Sequence, residues 1–411
     1  AWIHSNLVYT LHFHPDYDAQ RLYEEHARWN QIHAQPLAGQ IRPHRRDSDP
    51  DRRLRIGYVS AHFTDHPVGR FLLPILQHHD HRAFEIFCYS GVRRPTAATA
   101  LHKARADTWR EVAGLSDEQL ADVIREDRID ILVDLAMHME GSRLLVFARK
   151  PAPVQISYLA YCSTTGLETM DYRLTDPWLD PAGSDESCYS ERSLRLPRTY
   201  WCYPSPDSGL DVGPLPALTT GHVTFGCLNN YCKVTDLAWS AWADLLAAVP
   251  GSSLVVHAPN GSHRRRAADF LATRGIDPAR LEFVGLLPFD EYLRQYHRID
   301  IALDPFPYPG GTTTCDALWM GVPVITLAGQ TAVSRAGLSI LSNVGLPEFV
   351  ARSADQYVQI ATRLAADPPR LAELRATLRD RMRSSPLMDP IAFCHELEAV
   401  YRSTSGHSPK R

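Results

Sequence analysis

Residues 302–329 read ALDPFPYPGGTTTCDALWMGVPVITLAG, and their reading decides the fold. A short apolar run ends at Leu303, a Pro- and Gly-rich loop follows, and a helical pattern then runs through Ala317-Leu318-Trp319 to a second strand at 323–327. Strand, loop, helix and strand in that order predict one unit of a parallel sheet. Gly310 and Gly311 let the backbone approach a ligand closely, and Thr312, Thr313 and Thr314 add hydroxyls. A helix start carries unpaired N–H groups and partial positive charge, so a phosphate is its natural guest. The same letters also fit a bare turn with a threonine N-cap. Asp316, one turn in, either complements the helix dipole or accepts from ribose hydroxyls.

Outward from this stretch the alternation recurs on both sides. Strands are expected at 222–228, 253–257, 281–284 and 301–303 around it, and at 54–60, 84–90, 130–135, 154–159 and 172–175 earlier in the chain. Helices are expected at 68–78, 117–126, 143–148, 235–249, 354–366 and 390–401. The 411 residues exceed what one core usually serves. The reading is therefore an α/β protein of two Rossmann-like domains facing a cleft, preceded by a helical segment. Residues 1–50 form that segment and a linker, 51–205 the first domain, 206–220 a Pro/Gly/Ser-rich linker, 221–388 the second domain, and 389–411 a terminal helix and tail.

Composition excludes several classes. A net charge of −4 argues against a nucleic-acid partner. No apolar run approaches the roughly 20 residues that span a bilayer, and residues 1–6 lack the features of a signal peptide, so no membrane partner is expected. The eight cysteines form no CxxC pair, which fits reduced thiols in a cytoplasmic protein and speaks against structural zinc. Asp47, Asp49 and Asp51 could suggest a metal site, but Pro50 and the basic flanks make a linker the better reading.

Other polar loops follow predicted strands. Asn229-Asn230-Tyr231-Cys232-Lys233 does so in the second half, where Lys233 either neutralises a diphosphate or is simply solvated. In the first half His66 and Pro67 follow one strand, His138 another, and Tyr161-Cys162 a third, so all point to the presumed cleft. A structural role remains open for His66. No Walker, GxGxxG, GxSxG or HExxH motif occurs, and no DxD pair ends a strand, which favours a metal-free donor site.

Together these segments resemble the protein O-GlcNAc transferase family and its bacterial homologues. The resemblance rests on RIGYVSAHFTDHPVG (55–69), DILVDLAMHMEGSR (130–143), ARKPAPVQISYLAY (148–161), STTGLETMDYRLTD (163–176), LNNYCK (228–233), residues 302–329 and SRAGLSIL (334–341). It implies a GT-B fold, UDP-N-acetylglucosamine as donor, inverting transfer to Ser or Thr of a protein or peptide, no metal or other cofactor, and residues 1–45 as the end of a tetratricopeptide region. It implies catalytic roles for His66 and Lys233. Asn230, Lys233, Leu287, Phe289, Tyr292, Gly311, Thr312, Thr313, Thr314 and Asp316 would bind UDP, with His66, Pro67, His138, Tyr161 and Cys162 on the sugar and acceptor side. Three departures stand out: Gly311 replaces a histidine of animal relatives, Phe289 and Tyr292 replace a lysine and a histidine near the base, and Cys162-Ser163 replaces Pro-Gly. Transfer of another sugar, an asparagine or small-molecule acceptor, and a non-catalytic UDP-binding protein are the alternatives.

Overall fold

The computed structural model describes residues 1–44, 49, 52–206 and 208–405. Asp47, Ser48, Pro50 and Asp51, on which the linker reading partly rests, lie outside the described residues, as does the tail beyond 405. The chain divides into two compact units. The first comprises Ala1–His12, Tyr17–Pro204 and Asp389–Arg411; the second comprises Phe13–Asp16 and Ser205–Met388.

In the first unit seven parallel strands form one sheet: β1 (Leu54–Ser60), β2 (Phe84–Ser90), β3 (Thr108–Glu111), β4 (Ile131–Asp134), β5 (Val154–Ser157), β6 (Tyr172–Thr175) and β7 (Arg192–Arg195). Their spatial order is β3-β2-β1-β4-β5-β6-β7. The second unit builds six parallel strands from β8 (Thr224–Cys227), β9 (Ser253–His257), β10 (Leu281–Val284), β11 (Ile301–Leu303), β12 (Val324–Leu327) and β13 (Val350–Ala351), in the order β10-β9-β8-β11-β12-β13. In both sheets the order reverses once, between β1 and β4 and between β8 and β11. Parallel doubly wound sheets bind ligands at the carboxyl ends of the strands flanking such a reversal.

β1, β2, β6, β9, β10 and β11 have the expected bounds; in β1, β2 and β11 burial makes the sequence a nearly unbroken apolar run, while β10 is legible although it is a half-exposed edge strand. β3, β7 and β13 were not expected. All three lie at sheet edges; β3 and β7 are half exposed and polar (TWRE and RSLR), and β13 has only two residues.

The N-terminal helices Trp2–Leu11 and Ala19–Trp29 belong to the first unit rather than standing apart from it. Asp18 caps the second by accepting from the Arg21 N–H at 2.9 Å. Trp29, only 1% exposed, joins a core that includes Leu144, Val146 and Phe147. The helix Pro390–Ser405 returns to the same unit and packs on the helix Pro67–His78. Glu398 Oε1 there accepts from His79 Nδ1 at 2.9 Å and from the Asp80 N–H at 2.8 Å, and Tyr401 Oη lies 3.1 Å from Tyr58 Oη. Glu398→Ala would strand two donors, one of them on a buried ring. We expect it to lower the unfolding free energy by about 2–4 kcal/mol, read from urea denaturation followed by tryptophan fluorescence. An unchanged midpoint would mean that the terminal helix contributes nothing through this pair.

Candidate active site

The site in the second unit is built from the loops that leave β8 and β11, the two strands at the reversal. After β8, Asn230 Oδ1 accepts from the Cys232 N–H at 3.3 Å and opens a 3-10 turn, Tyr231–Lys233. Thr235 then caps the helix Asp236–Ala248, its hydroxyl also donating to Phe306 O at 2.8 Å, which ties the two loops together. Lys233 Nζ donates to Pro309 O at 3.0 Å and sits 4.3 Å from the centre of the Tyr308 ring. The side chain keeps some exposure, but its ammonium is hemmed in by protein, and burial lowers its pKa to about 8 against the opposing pull of Asp304. At neutral pH it is a cation with two N–H donors left for a ligand.

Asp304, at the end of β11, folds the other loop. Its buried carboxylate accepts from the Gly310 N–H at 3.1 Å and from Thr314 Oγ1 at 2.9 Å, while Tyr357 Oη donates to its backbone carbonyl at 3.0 Å. Burial raises its pKa, with the Thr314 and Gly310 bonds and Lys233 among the opposing influences. Gly310 has no alternative: a Cβ there would lie 2.3 Å from Thr314 Oγ1 and 2.7 Å from Asp304 Oδ1. The sequence shows Asp304 as the first letter of the loop but gives it no role. Its only signal is an aspartate ending an apolar strand just before the glycines.

The helix Thr312–Trp319 starts from Gly311 with no side-chain cap, so its first-turn N–H groups are not claimed by a capping side chain. Thr312 and Thr313 are partly exposed, and Thr313 Oγ1 donates to Asn229 Oδ1 at 2.7 Å. Thr314 turns inward to Asp304 and acts as structure. Asp316 is buried and accepts from Tyr292 Oη at 3.2 Å; Tyr292 also meets Tyr296 Oη at 2.9 Å. Phe289 is 41% exposed, its ring 6.0 Å from that of Tyr292, and Leu287 is half-buried beside it. Leu287, Phe289 and Tyr292 thus share one stretch of the second unit with Asp316 behind them.

The residues of the first unit fare differently. His66 caps the helix Pro67–His78: its Nδ1 accepts from the Val68 N–H at 3.2 Å, and its ring stacks on His62 at 4.0 Å. Desolvation, then His62, pushes its pKa down to about 4. With Nδ1 accepting, the neutral ring carries its proton on Nε2. Pro67 is exposed and His66 partly so. His138 is fully buried, bridging Ser5 Oγ (3.1 Å) and Thr165 O (2.8 Å) with its ring edge-on to Trp29 at 4.9 Å. Tyr161 and Cys162 are also buried, Tyr161 beside the rings of Tyr9 and His12. These three line no open surface: residues of the N-terminal helical segment, whose burial of the loops no sequence period announces, cover His138 and Tyr161, and Cys162 is buried beside Tyr200.

Among the described residues no group of three or more His, Cys, Asp or Glu is placed to hold a metal ion, and no helix is long and apolar enough to cross a membrane. All eight cysteines are free.

Two Rossmann-like sheets, with a lysine and an uncapped helix at the reversal of the second, define a GT-B protein. A Thermobaculum terrenum O-GlcNAc transferase variant has this fold, with a TM-score of 0.92 and 41% identity over 98% of this chain and 77% of that one. The chain belongs to glycosyl transferase family 41, whose family model matches residues 24–204 and 216–397. The SPINDLY protein of Petunia hybrida, described as a probable UDP-N-acetylglucosamine–peptide N-acetylglucosaminyltransferase, is 40% identical over 392 residues, 93% of this chain and 42% of the relative. The SEC protein of Arabidopsis thaliana, described in the same words, is 30% identical over 85% of this chain and 37% of the relative. The chain therefore spans about two fifths of the length of these curated relatives.

The depressed pKa of Lys233 gives the site a pH signature. Its free-site pKa, about 8, lies below the usual lysine value, and a bound diphosphate favours the protonated form. Above pH 8 the free site has lost a proton that the complex retains, so affinity must fall as pH rises. Calorimetry with UDP-N-acetylglucosamine should give a flat affinity from pH 6 to 7.5 and an affinity about tenfold lower at pH 9. Lys233→Ala should bind about 10–100-fold more weakly and lose most of this slope. Equal slopes in the two proteins would remove Lys233 from the site.

Proposed function

We propose that this chain is the catalytic part of a UDP-sugar-dependent, inverting glycosyltransferase that moves N-acetylglucosamine from UDP-N-acetylglucosamine to Ser or Thr hydroxyls of proteins. The observation that carries the reading is the pairing of the Lys233 ammonium with the uncapped helix start at Thr312, on the two loops of one strand-order reversal. Names borne by relatives across most of this chain support the donor and acceptor.

In this reading the diphosphate lies against the amides of Gly311, Thr312 and Thr313, with Lys233 beside it. As the acceptor hydroxyl attacks the anomeric carbon, the bond to the β-phosphate oxygen breaks and negative charge grows on UDP. Fixed donors aimed at that charge lower the barrier without reorganising, usually the largest catalytic contribution. Leu287, Phe289 and Tyr292 offer the uracil an apolar, half-exposed surface, and Asn230 lies in the same β8 loop. Asp316, behind this surface, serves the ribose. Lysine and helix amides supply the charge that a divalent cation would otherwise supply, so the reaction proceeds without metal. The free thiols accord with a cytoplasmic protein.

His66 positions rather than deprotonates. Its Nδ1 is taken by the Val68 N–H, leaving Nε2 as a donor, and a pKa of about 4 makes it a poor base at neutral pH. The donor's own phosphate takes the acceptor proton. His138, Tyr161 and Cys162 shape the first unit from beneath.

Gly311 favours testing a second sugar, since it offers backbone where animal relatives carry a histidine. Incubating the chain with each of several UDP-sugars and protein acceptors in EDTA, with mass spectrometry of the products, tests both. Transfer of N-acetylhexosamine to Ser or Thr with full activity in EDTA is expected; activity that appears only on adding Mn²⁺ or Mg²⁺ would overturn the metal-free mechanism. His66→Ala should lose most transfer while UDP affinity persists, and His66→Gln, which keeps an N–H donor, should recover part. Because His66 stays neutral above pH 5, the wild-type rate should show no acid limb near pH 6.5 that the variants lack. Such a limb would make His66 the base.

A further inference from the structure

The crown of the β11 loop carries a side chain that the mechanism above does not use. The loop is anchored away from its crown. The Asp304 carbonyl accepts from Tyr357 Oη at 3.0 Å, the Phe306 carbonyl accepts from the Thr235 hydroxyl at 2.8 Å, and the Gly310 N–H donates to the Asp304 carboxylate at 3.1 Å. Tyr308 and Pro309 stand between the last two anchors. Both meet the lysine directly: the Pro309 carbonyl accepts from Lys233 Nζ at 3.0 Å, and the centre of the half-buried Tyr308 ring lies 4.3 Å from the same nitrogen.

Tyr308 has a brace of its own. Phe13, in the Phe13–Asp16 segment that belongs to the second unit, places its half-buried ring 5.0 Å from that of Tyr308, tilted by 50°. Pro15 of the same segment lines a depression with Leu237, Phe306 and Pro307. The segment thus meets the loop at its crown and shares a depression with its start.

A lysine is a charge on a flexible stem, and the rotamers that point it elsewhere must be given up when a ligand binds. A ring on one side and a carbonyl on another remove that freedom beforehand, and such preorganisation raises affinity. An aromatic face attracts an ammonium but solvates it less well than water does. Burial is accordingly the largest influence on the Lys233 pKa and lowers it, while Asp304 and the thiols of Cys232 and Cys227 pull the other way. In the bracing segment, His14 Nδ1 and Asp16 Oδ2 stand 4.0 Å apart and face each other.

We infer that Tyr308, braced by Phe13, is a positioning residue for nucleotide binding: its ring keeps water from the Lys233 ammonium and holds it where the diphosphate arrives. This rests on the reading of Lys233 as the diphosphate's cation.

Calorimetry with UDP from pH 6.5 to 9 on Tyr308→Ala, Tyr308→Phe and Phe13→Ala tests it, with thermal unfolding of each variant recorded. In Tyr308→Ala the affinity at pH 7 should fall about 3–10-fold. Water reaching the ammonium should also return its pKa toward the ordinary lysine value. The roughly tenfold loss of affinity between pH 7 and pH 9 should then shrink to about threefold or less. Phe13→Ala should move both readouts the same way by less, and Tyr308→Phe, which keeps the ring, should stay within about twofold of wild type in both. The nucleotide's own titration is common to every protein, so the comparison between them carries the result. If Tyr308→Ala does not fold, Phe13→Ala carries both readouts. Wild-type affinity, or weaker binding with the wild-type pH dependence, overturns the inference and leaves the two rings as packing. A wild type that binds no UDP, or a Lys233→Ala variant that binds it as tightly as wild type, sinks the reading of Lys233 itself, a failure visible before Tyr308 is changed.

Discussion

Everything at the candidate site depends on the carboxylate of Asp304. Buried at the end of β11, it draws the Gly310 amide and the Thr314 hydroxyl back onto itself and so decides where the helix Thr312–Trp319 begins. A carboxylate without water around it is costly unless hydrogen-bonded. Those bonds, with Lys233 close enough to act on its pKa, offset that cost. The consequence is a helix whose start is fixed by Thr314, in its own first turn, bonding back to the strand end rather than by a capping side chain. Its first amides are held in place yet left for something else. That is the physical meaning of an anion site: donors already oriented and not yet used.

The position of the site follows from topology. In each sheet the strand order reverses beside the first strand of the unit, between β1 and β4 and between β8 and β11, and a reversal of this kind is where the loops of a doubly wound sheet diverge. Lys233 comes from the β8 loop and the threonines from the β11 loop, joined by the Thr235 hydroxyl on Phe306 O. His66 occupies the equivalent place after β1. The two loops are far apart in sequence, so no local motif search for a phosphate loop would join them. Sheet order does.

What the sequence made legible follows the same physics. An inner strand such as Phe84–Ser90 is legible to the residue because burial leaves a nearly unbroken apolar run, whereas Leu281–Val284, a half-exposed edge strand, is legible from its apolar letters despite Glu282. β3 and β7, half wet at the sheet edges, carry no such run and were missed. The capping threonine at 235 and the helix it starts were visible from side-chain chemistry. His138, Tyr161 and Cys162 point toward the cleft on the sequence because they follow strands; nothing in the neighbouring letters says that Ser5 and Trp29 lie over His138, or Tyr9 and His12 over Tyr161. Asp304 is not legible as an organiser because it acts on residues that a fold in the loop brings back to it.

The claim on which the account stands is that the nucleotide diphosphate rests on the Thr312 helix start beside Lys233. Crystals of the chain grown with UDP test it directly. Density for the two phosphates within hydrogen-bond distance of Lys233 Nζ and of the amides of Gly311–Thr313 is the predicted result. Phosphates seated elsewhere, for example in the largely apolar depression of the second unit lined by Leu237, Phe306 and Val358, would contradict it.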